Sequence, residues 1–527
     1  MIRAVTRLAG VGIAVLSGFL VASDGSVANA GPTAVAAADV EFVEVCLGPS
    51  GRPDKQKVVS LPKRAAMRLI ERGKATAGPC TPATLVCNGD KVRVGCGEVA
   101  TMRADAILQS EQEEEINALV LKDEGPRLPI DDRTSVPPRP SVMGQCIDDA
   151  YAQEAEVGYA YAIAQNGQLA DTGAGGFAVA PWEDDPSVVM TEATRMTIAS
   201  VSKPITAVAV MKMLEQFPAL GLDDPFYPLI AGKFGGPFFF GDGTIADIPG
   251  PGVDQVTIRH LLTHRSGLKP GLGCGFAKLG TLLAIGVVGT PGSTYDYENS
   301  NFCLLREVVE QVTGIDYVDY VEANILQPMG IAAMSCEEDD VEPARYYNTI
   351  QGPGTTFGDY VGTCSAYGWY ASAIDLARFL ANVRFNTVLT QASQDAMLGD
   401  CPNPGDTGDY CLGWMRRDTT IGLHHLHNGD WFTGDPCAPS GGDIGGIVVV
   451  PSECRKGFNG TIMQLPLGID ASLLVNTREG TNFNPGLKSE VTILRECFKQ
   501  AFLDANPGSV VVGGAQGSAR SGVGATR

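Results

Sequence analysis

The chain lacks the ingredients of several common function classes. Its 39 Lys and Arg are outnumbered by 60 Asp and Glu, a formal net charge of −21. Binding to a phosphate backbone needs a concentrated basic face, so no nucleic-acid partner is expected. There are only five histidines, and none of the fourteen cysteines sits at the close spacing of a zinc ribbon or finger. His425 and His427 alternate onto one strand face, but no carboxylate or thiolate pattern accompanies them, so no metal site is expected. After the first thirty residues no apolar run is long enough for a transmembrane segment. The absence of Gly-x-Ser-x-Gly argues against a lipase of the nucleophile-elbow type.

What is present reads as an exported globular protein. A hydrophobic share of 44% and a charged share of 19% are those of a folded chain. Residues 1–30 have the form of a signal peptide: basic Arg3 and Arg7, an apolar run from Leu8 to Ala22, and Ala28-Asn29-Ala30 as a cleavage site. Cysteines fit that route, since disulfides persist outside the reducing cytosol, and the expected localisation is secreted or periplasmic. Spacing suggests Cys46–Cys80, Cys87–Cys96, Cys401–Cys411 and Cys437–Cys454, although spacing cannot fix connectivity.

Four parts follow the signal. Residues 31–100 are expected to form a small disulfide-containing module, with strands at Val43 to Cys46 and Lys57 to Ser60 and a helix from Pro62 to Gly73. Residues 101–143 read as a Pro-rich linker, and residues 506–527, rich in Gly, Ser and Ala, as a disordered tail. The main domain is residues 144–505. It opens with strands Val157 to Gln165 and Gln168 to Gly176 around Asn166-Gly167, the strongest short hairpin signal. Helices follow at Ser200 to Phe217, Phe302 to Thr313 and Tyr317 to Leu326. Strands return at Gly422 to Leu426, Ile444 to Val450 and Ala471 to Val475, and a helix from Lys488 to Ala501 closes the domain. The fold class is therefore α+β: one antiparallel sheet built from distant segments, flanked by helices, with a helical region inserted. Cys146 and Cys497, on the first and last helices, are expected to pair.

Three short polar elements carry the chemistry. Ser200 and Lys203 lie three apart at a helix start, so both side chains share one face. A free hydroxyl is a poor nucleophile, and an adjacent unprotonated lysine can act as its base. Ser-x-x-Lys alone is expected about once by chance in a chain of this length. The second element is a turn-rich loop from Pro291 to Asn301. In it Tyr297 can exchange protons with Ser200, and Asn299 can donate to a substrate carbonyl while accepting from Lys203. The third is His427-Asn428-Gly429, read as ending the Gly422 to Leu426 strand. Gly429 there permits close backbone approach, and amide N–H groups at that edge can join that of Ser200 in an oxyanion hole.

These elements, in this order, resemble the serine β-lactamase-like superfamily: class C β-lactamases, DD-peptidases and related esterases. Connecting segments share the resemblance, among them Gly221-Leu222-Asp223-Asp224-Pro225, Arg259 to Leu268, Leu304 to Gly314, Gly368 to Ser372 and Leu412-Gly413-Trp414. It extends from about Val157 to Asn476. The resemblance implies a β-lactamase/transpeptidase-like fold, Ser200 as acylated nucleophile, Lys203 as its activating amine, Tyr297 as proton shuttle and Asn299 as substrate orienter. It also implies that His427 and Gly429 line the opposite wall, that the N–H groups of Ser200 and Asp430 polarise the carbonyl, and that His264 is structural and away from the cleft.

The third element departs from the Lys-Thr-Gly usual in true β-lactamases and penicillin-binding relatives. Without a fixed cation there, recognition of a substrate carboxylate is weakened. Asp430, where a small residue is more usual, is expected to bring negative charge near the oxyanion hole. The resulting expectation is a serine hydrolase acting on a small ester, amide or peptide through an acyl-enzyme, esterase-like or D-amino-acid-peptidase-like, with no cofactor. The alternative is a catalytically weak relative that binds cell-wall or surface ligands.

Overall fold

The computed structural model describes residues 42–47, 57–62, 75–77 and 127–509, apart from 153–157, 241–243, 269–272, 338–343, 348–353, 359–360, 403–408, 433–455, 478–488 and 508. The signal-like segment, residues 63–73 of the expected Pro62 to Gly73 helix, the Ile444 to Val450 strand, the tail beyond residue 509 and the pairings of Cys80, Cys87, Cys96, Cys437 and Cys454 lie outside the described residues. Pro62 itself ends a strand, and Asn506, the first residue of the expected tail, is bonded to Val136.

Near the amino terminus is a three-stranded antiparallel sheet by itself, in the order β2-β1-β3. Its strands are β1 (Phe42–Leu47), β2 (Lys57–Pro62) and β3 (Ala75–Ala77). The two strands expected from sequence are both there, each slightly longer.

The larger unit contains β4 (Gly158–Gln165), β5 (Gln168–Val179), β6 (Val188–Val189), β7 (Met196–Thr197), β8 (Gly236–Phe239), β9 (Ile245–Ile248) and β10 (Tyr370–Ala371). β11 (Asp409–Tyr410), β12 (Met415–Thr419), β13 (Gly422–Phe432), β14 (Gly457–Gln464) and β15 (Ile469–Val475) complete it. Eight form one antiparallel sheet, ordered β11-β12-β13-β14-β15-β4-β5-β6, so β4 and β15, the first and last strands of this unit, meet in the middle. The β4–β5 hairpin closes through Asn166 (φ 50°) and Gly167 (φ 82°), the positive dihedrals that a two-residue turn matched to strand twist requires.

Both faces of the central strands are covered. All seven residues of β15 are buried. On β4, Ala160 and Ala162 face one apolar cluster with the helical region, while Tyr161 and Ile163 face another with the Pro140–Ala152 and Glu490–Ala505 helices. Pro140 opens its helix at the position where a missing N–H costs nothing. The second half of the Pro-rich stretch is not a free linker. Leu128 is buried, its N–H donates to Thr420 O at 2.7 Å, and Val136 exchanges two bonds with Asn506.

Cys146 and Cys497 are bridged between those two helices, Cα atoms 5.5 Å apart, and Cys401–Cys411 is also formed. Cys274–Cys303 and Cys336–Cys364 complete the bridges among the described residues. The Cys146–Cys497 link spans 351 residues. Removing it as Cys146→Ala with Cys497→Ala is expected to cost on the order of 2–5 kcal/mol, through the larger conformational freedom of the unlinked chain. A urea titration of the pair against wild type checks this, and an unshifted midpoint would contradict it.

Candidate active site

The sequence places Ser200 and Lys203 on one helix; the structure divides them between a short turn and the helix that follows it. A 3-10 turn, Ala199–Val201, carries Ser200, and the α-helix Ser202–Gln216 starts immediately after it. This helix is buried on every side from Ser202 to Met211, so it is the axis of the helical region and not a surface helix with one apolar face. Pro204 sits in its first turn, where no intrahelical donor is lost. Directly before the serine, Ala199 has φ 37°, a region that side-chain-bearing residues avoid. Such strain persists only where the surroundings impose it. Here the Ile198 N–H is tied to Trp369 O at 3.0 Å on one side of Ala199, and on the other the helix begins.

Lys203 is fully buried. Its Nζ lies 2.9 Å from Ser200 Oγ, 2.7 Å from Asn299 Oδ1 and 3.1 Å from Ala366 O. The amide oxygen and the carbonyl only accept, whereas a hydroxyl can accept or donate. An ammonium fills this shell with three donated bonds. A neutral amine fills it equally, donating to Asn299 and Ala366 while its lone pair accepts the Ser200 proton. Proton transfer between Ser200 and Lys203 therefore needs no rearrangement of heavy atoms.

Tyr297 ends the loop that precedes the Asn299–Thr313 helix, and Lys203 Nζ is 4.5 Å from its ring centroid. Ser200, Lys203, Tyr297 and Asn299 are thus brought together from two distant stretches of chain.

The third element lies inside a strand, not at its end. β13 continues to Phe432, held by β14 in a register running from His425 opposite Gln464 to Phe432 opposite Gly457. β12 pairs with β13 only as far as Leu426, so beyond it β13 is paired on one side among the described residues. Gly429 packs directly on the Ser200 turn: a Cβ there would lie 2.3 Å from Ile198 O and 3.2 Å from Ser200 N. The backbone of β13 can come this close only because residue 429 has no side chain.

His427 is wholly buried. Its Nδ1 is 2.7 Å from Asn428 O, which can only accept, so Nδ1 carries the proton. Nε2 then accepts from the Tyr410 hydroxyl at 3.0 Å. Burial, and after it the charge of Lys203, lowers its pKa to about 3, so the ring is uncharged near neutrality. Asp430 differs from the expectation of charge in the oxyanion hole. Successive strand side chains point to opposite faces, and Gly429 faces the Ser200 turn. The Asp430 carboxylate accordingly faces away, beside its cross-strand neighbour Asn459, whose amide donates to it at 3.0 Å once its oxygen and nitrogen are exchanged.

Two residues were placed elsewhere or passed over by sequence reasoning. His264, expected away from the cleft, stacks on Tyr297 with ring centroids 4.1 Å apart. Tyr410, not singled out, supports His427 and meets the edge of His264 at 4.8 Å. Three disulfides end close to this assembly: Cys303 follows Asn299 by one helical turn, Cys364 precedes Ala366, and Cys411 adjoins Tyr410. Among the described residues no group of three or more His, Cys, Asp or Glu is arranged to hold a metal ion. None of the described helices is long and apolar enough to cross a membrane.

Comparison with known proteins shows the family and the fold. The Beta-lactamase family model matches residues 143–452. Penicillin-binding protein 4* of Bacillus subtilis (strain 168) is 26% identical over 267 residues, covering 44% of this chain and 55% of that protein. Esterase EstB of Burkholderia gladioli is 27% identical over 292 residues, covering 45% of this chain and 68% of that protein. The chain spans just over half, 55% and 57%, of the two Bacillus subtilis penicillin-binding relatives it matches. Among solved structures, the D-amino acid amidase from Ochrobactrum anthropi SV3 superposes with a TM-score of 0.50 at 19% identity, over 69% of this chain and 99% of that one. That likeness is one of fold.

Proposed function

Because this chain belongs to the β-lactamase family, we propose that it is an exported serine hydrolase that cleaves an ester or amide through an acyl-serine intermediate. The observation that carries the proposal is the buried Lys203 amine held between Ser200 Oγ at 2.9 Å and Asn299 Oδ1 at 2.7 Å. Residues 144–505 form the catalytic unit in this reading, and the four disulfides among the described residues support export.

Ser200 Oγ attacks the substrate carbonyl carbon as its proton passes to Lys203 Nζ. The carbonyl oxygen gains the displaced electron pair, and the N–H groups of Ser200 and Asp430 stabilise the resulting oxyanion. Collapse breaks the bond to the leaving group, which takes a proton by way of the Tyr297 hydroxyl. Water then repeats the attack on the acyl-serine, with the same groups returning the proton to Ser200. Asn299 holds both Lys203 and the substrate side of the cleft.

Substrate choice follows from the third element. An uncharged His427 offers no fixed cation to a substrate carboxylate, so a β-lactam loses a charge-assisted contact that a neutral ester does not need. Esterase EstB and the D-aminopeptidase of Brucella ovis, both relatives by sequence, bear names of the activities favoured here. The purified protein is expected to turn over a p-nitrophenyl ester faster than nitrocefin, and the reverse order would overturn the substrate assignment. Covalent labelling by a fluorophosphonate probe is expected in wild type and not in Ser200→Ala. No labelling of either protein would sink the enzyme reading and favour a ligand-binding relative.

A further inference from the structure

We propose that His264 is the positioning residue of the catalytic phenol, an inference that rests on the acyl-serine reading above. His264 holds the Tyr297 segment at three points. Its carbonyl oxygen accepts from the N–H of Asp296, the residue before Tyr297, at 2.8 Å. Its Nδ1 accepts from the N–H of Glu298, the residue after, at 3.1 Å. Its ring stacks on the Tyr297 ring itself, centroids 4.1 Å apart and planes 26° from parallel. Backbone on both sides of the tyrosine and the face of its ring are therefore referred to one imidazole.

The turn containing His264 is itself fixed. Gly292 N–H donates to Arg265 O at 2.7 Å and Val288 N–H to Gly267 O at 2.8 Å, so the loop is hung along this turn from its start. The Asn301 amide approaches the same Nδ1 at 3.2 Å, while its oxygen accepts from Ser266 Oγ at 2.7 Å. With its oxygen so engaged, Asn301 donates to His264. Two donors converge on Nδ1, which therefore carries no proton, and a neutral ring has its hydrogen on Nε2. Burial, then the nearby Lys203 ammonium, opposes protonation.

The backbone of His264 has φ 54°, a conformation that histidine adopts at a cost and that the fold maintains. A histidine needed only to fill the core would not require this dihedral, this tautomer and this stacking partner together. The stacked ring limits the tilt of the phenol, which also meets Lys203 Nζ at 4.5 Å from its centroid and the Tyr410 ring edge-on at 6.0 Å. Without it the hydroxyl is free to leave the line of proton transfer.

His264→Asn tests this, because asparagine tolerates the left-handed backbone and supplies a short acceptor, but has no ring. With a p-nitrophenyl ester, kcat is expected to fall by about ten- to a hundredfold, as a small misplacement of a catalytic group does. KM should stay within about threefold, since ground-state binding is not what the ring provides. In a Tyr297→Phe background, the same substitution is expected to have no further effect on kcat. His264→Gln, which also lacks the ring, serves with the same expectations if His264→Asn does not fold. An unchanged kcat in the single variant, or a loss that multiplies fully in the Tyr297→Phe background, would overturn the inference while leaving the acyl-serine reading intact. Wild-type turnover by Tyr297→Phe alone would instead remove the phenol's catalytic role, and the positioning role with it.

Discussion

Replacing Lys203 by methionine is expected to lower ester turnover by about 10²–10⁴-fold, the contribution of a positioned proton acceptor. Methionine fills most of the fully buried volume that the lysine stem occupies, but removes the bonds that Lys203 donates to Asn299 Oδ1 and Ala366 O. That should cost about 1–3 kcal/mol of stability, which a melting curve separates from the kinetic loss. Lys203→Arg makes the test sharper. A guanidinium keeps the positive charge and the donors but cannot release a proton at accessible pH. If Lys203 served only as a fixed charge, arginine would retain much of the activity; as a proton acceptor, arginine fails about as completely as methionine. Turnover by either variant within tenfold of wild type would sink the mechanism.

How much of this site could be read from the sequence depended on how local each contact is. Ser200 and Lys203 are neighbours in the chain, so their approach follows from spacing alone. Asn299 reaches the same amine from 96 residues away; its amide chemistry permits that contact, but no periodicity places it there. His264 shows the limit. A histidine among Leu261, Leu262 and Thr263 is ordinarily a satisfied core residue, and nothing in its own segment reveals which ring it meets. The partner is a tyrosine on a loop thirty-three positions later, and only the bonds from Asp296 and Glu298 disclose it.

The sheet divides in the same way. The β4–β5 hairpin is announced by Asn166-Gly167, whose dihedrals are set within the turn. β13 looked shorter because His427-Asn428-Gly429-Asp430 has the composition of a turn; pairing with β14 keeps it extended through Phe432. β14 is not legible in the sequence for a related reason. Gly457, Asn459 and Gly460 depress strand propensity, and the strand exists because Ile462 and Met463 are buried on opposite faces against two different apolar clusters. Of the cysteines, the Cys401–Cys411 pair is ten residues apart and Cys146–Cys497 joins the domain's terminal helices, so both could be anticipated. Cys274–Cys303 and Cys336–Cys364 depend on how the helical region folds back, which spacing does not encode.

The close contact between β13 and the Ser200 turn leads to the second large effect. Gly429→Ala is expected to reduce kcat on a p-nitrophenyl ester by about a hundredfold, because the added methyl displaces reacting groups by a fraction of their working distance. Its Cβ would sit 2.3 Å from Ile198 O. Neither side can yield easily. β13 is held to β14 by paired residues from His425 to Phe432, and Ile198 is held to Trp369. The strain should also cost about 1–3 kcal/mol of stability. Gly460→Ala is the control, since Gly460 lies opposite Gly429 in the same strand pair but its Cβ would meet the tip of Leu474 at 2.8 Å. A flexible side-chain end can move aside, so that variant should keep kcat within a few-fold while showing a comparable shift in melting temperature. If Gly429→Ala turned over substrate as fast as Gly460→Ala, the approach of β13 to Ser200 would be packing alone, and the oxyanion site assigned to the Ser200 and Asp430 N–H groups would have to lie elsewhere.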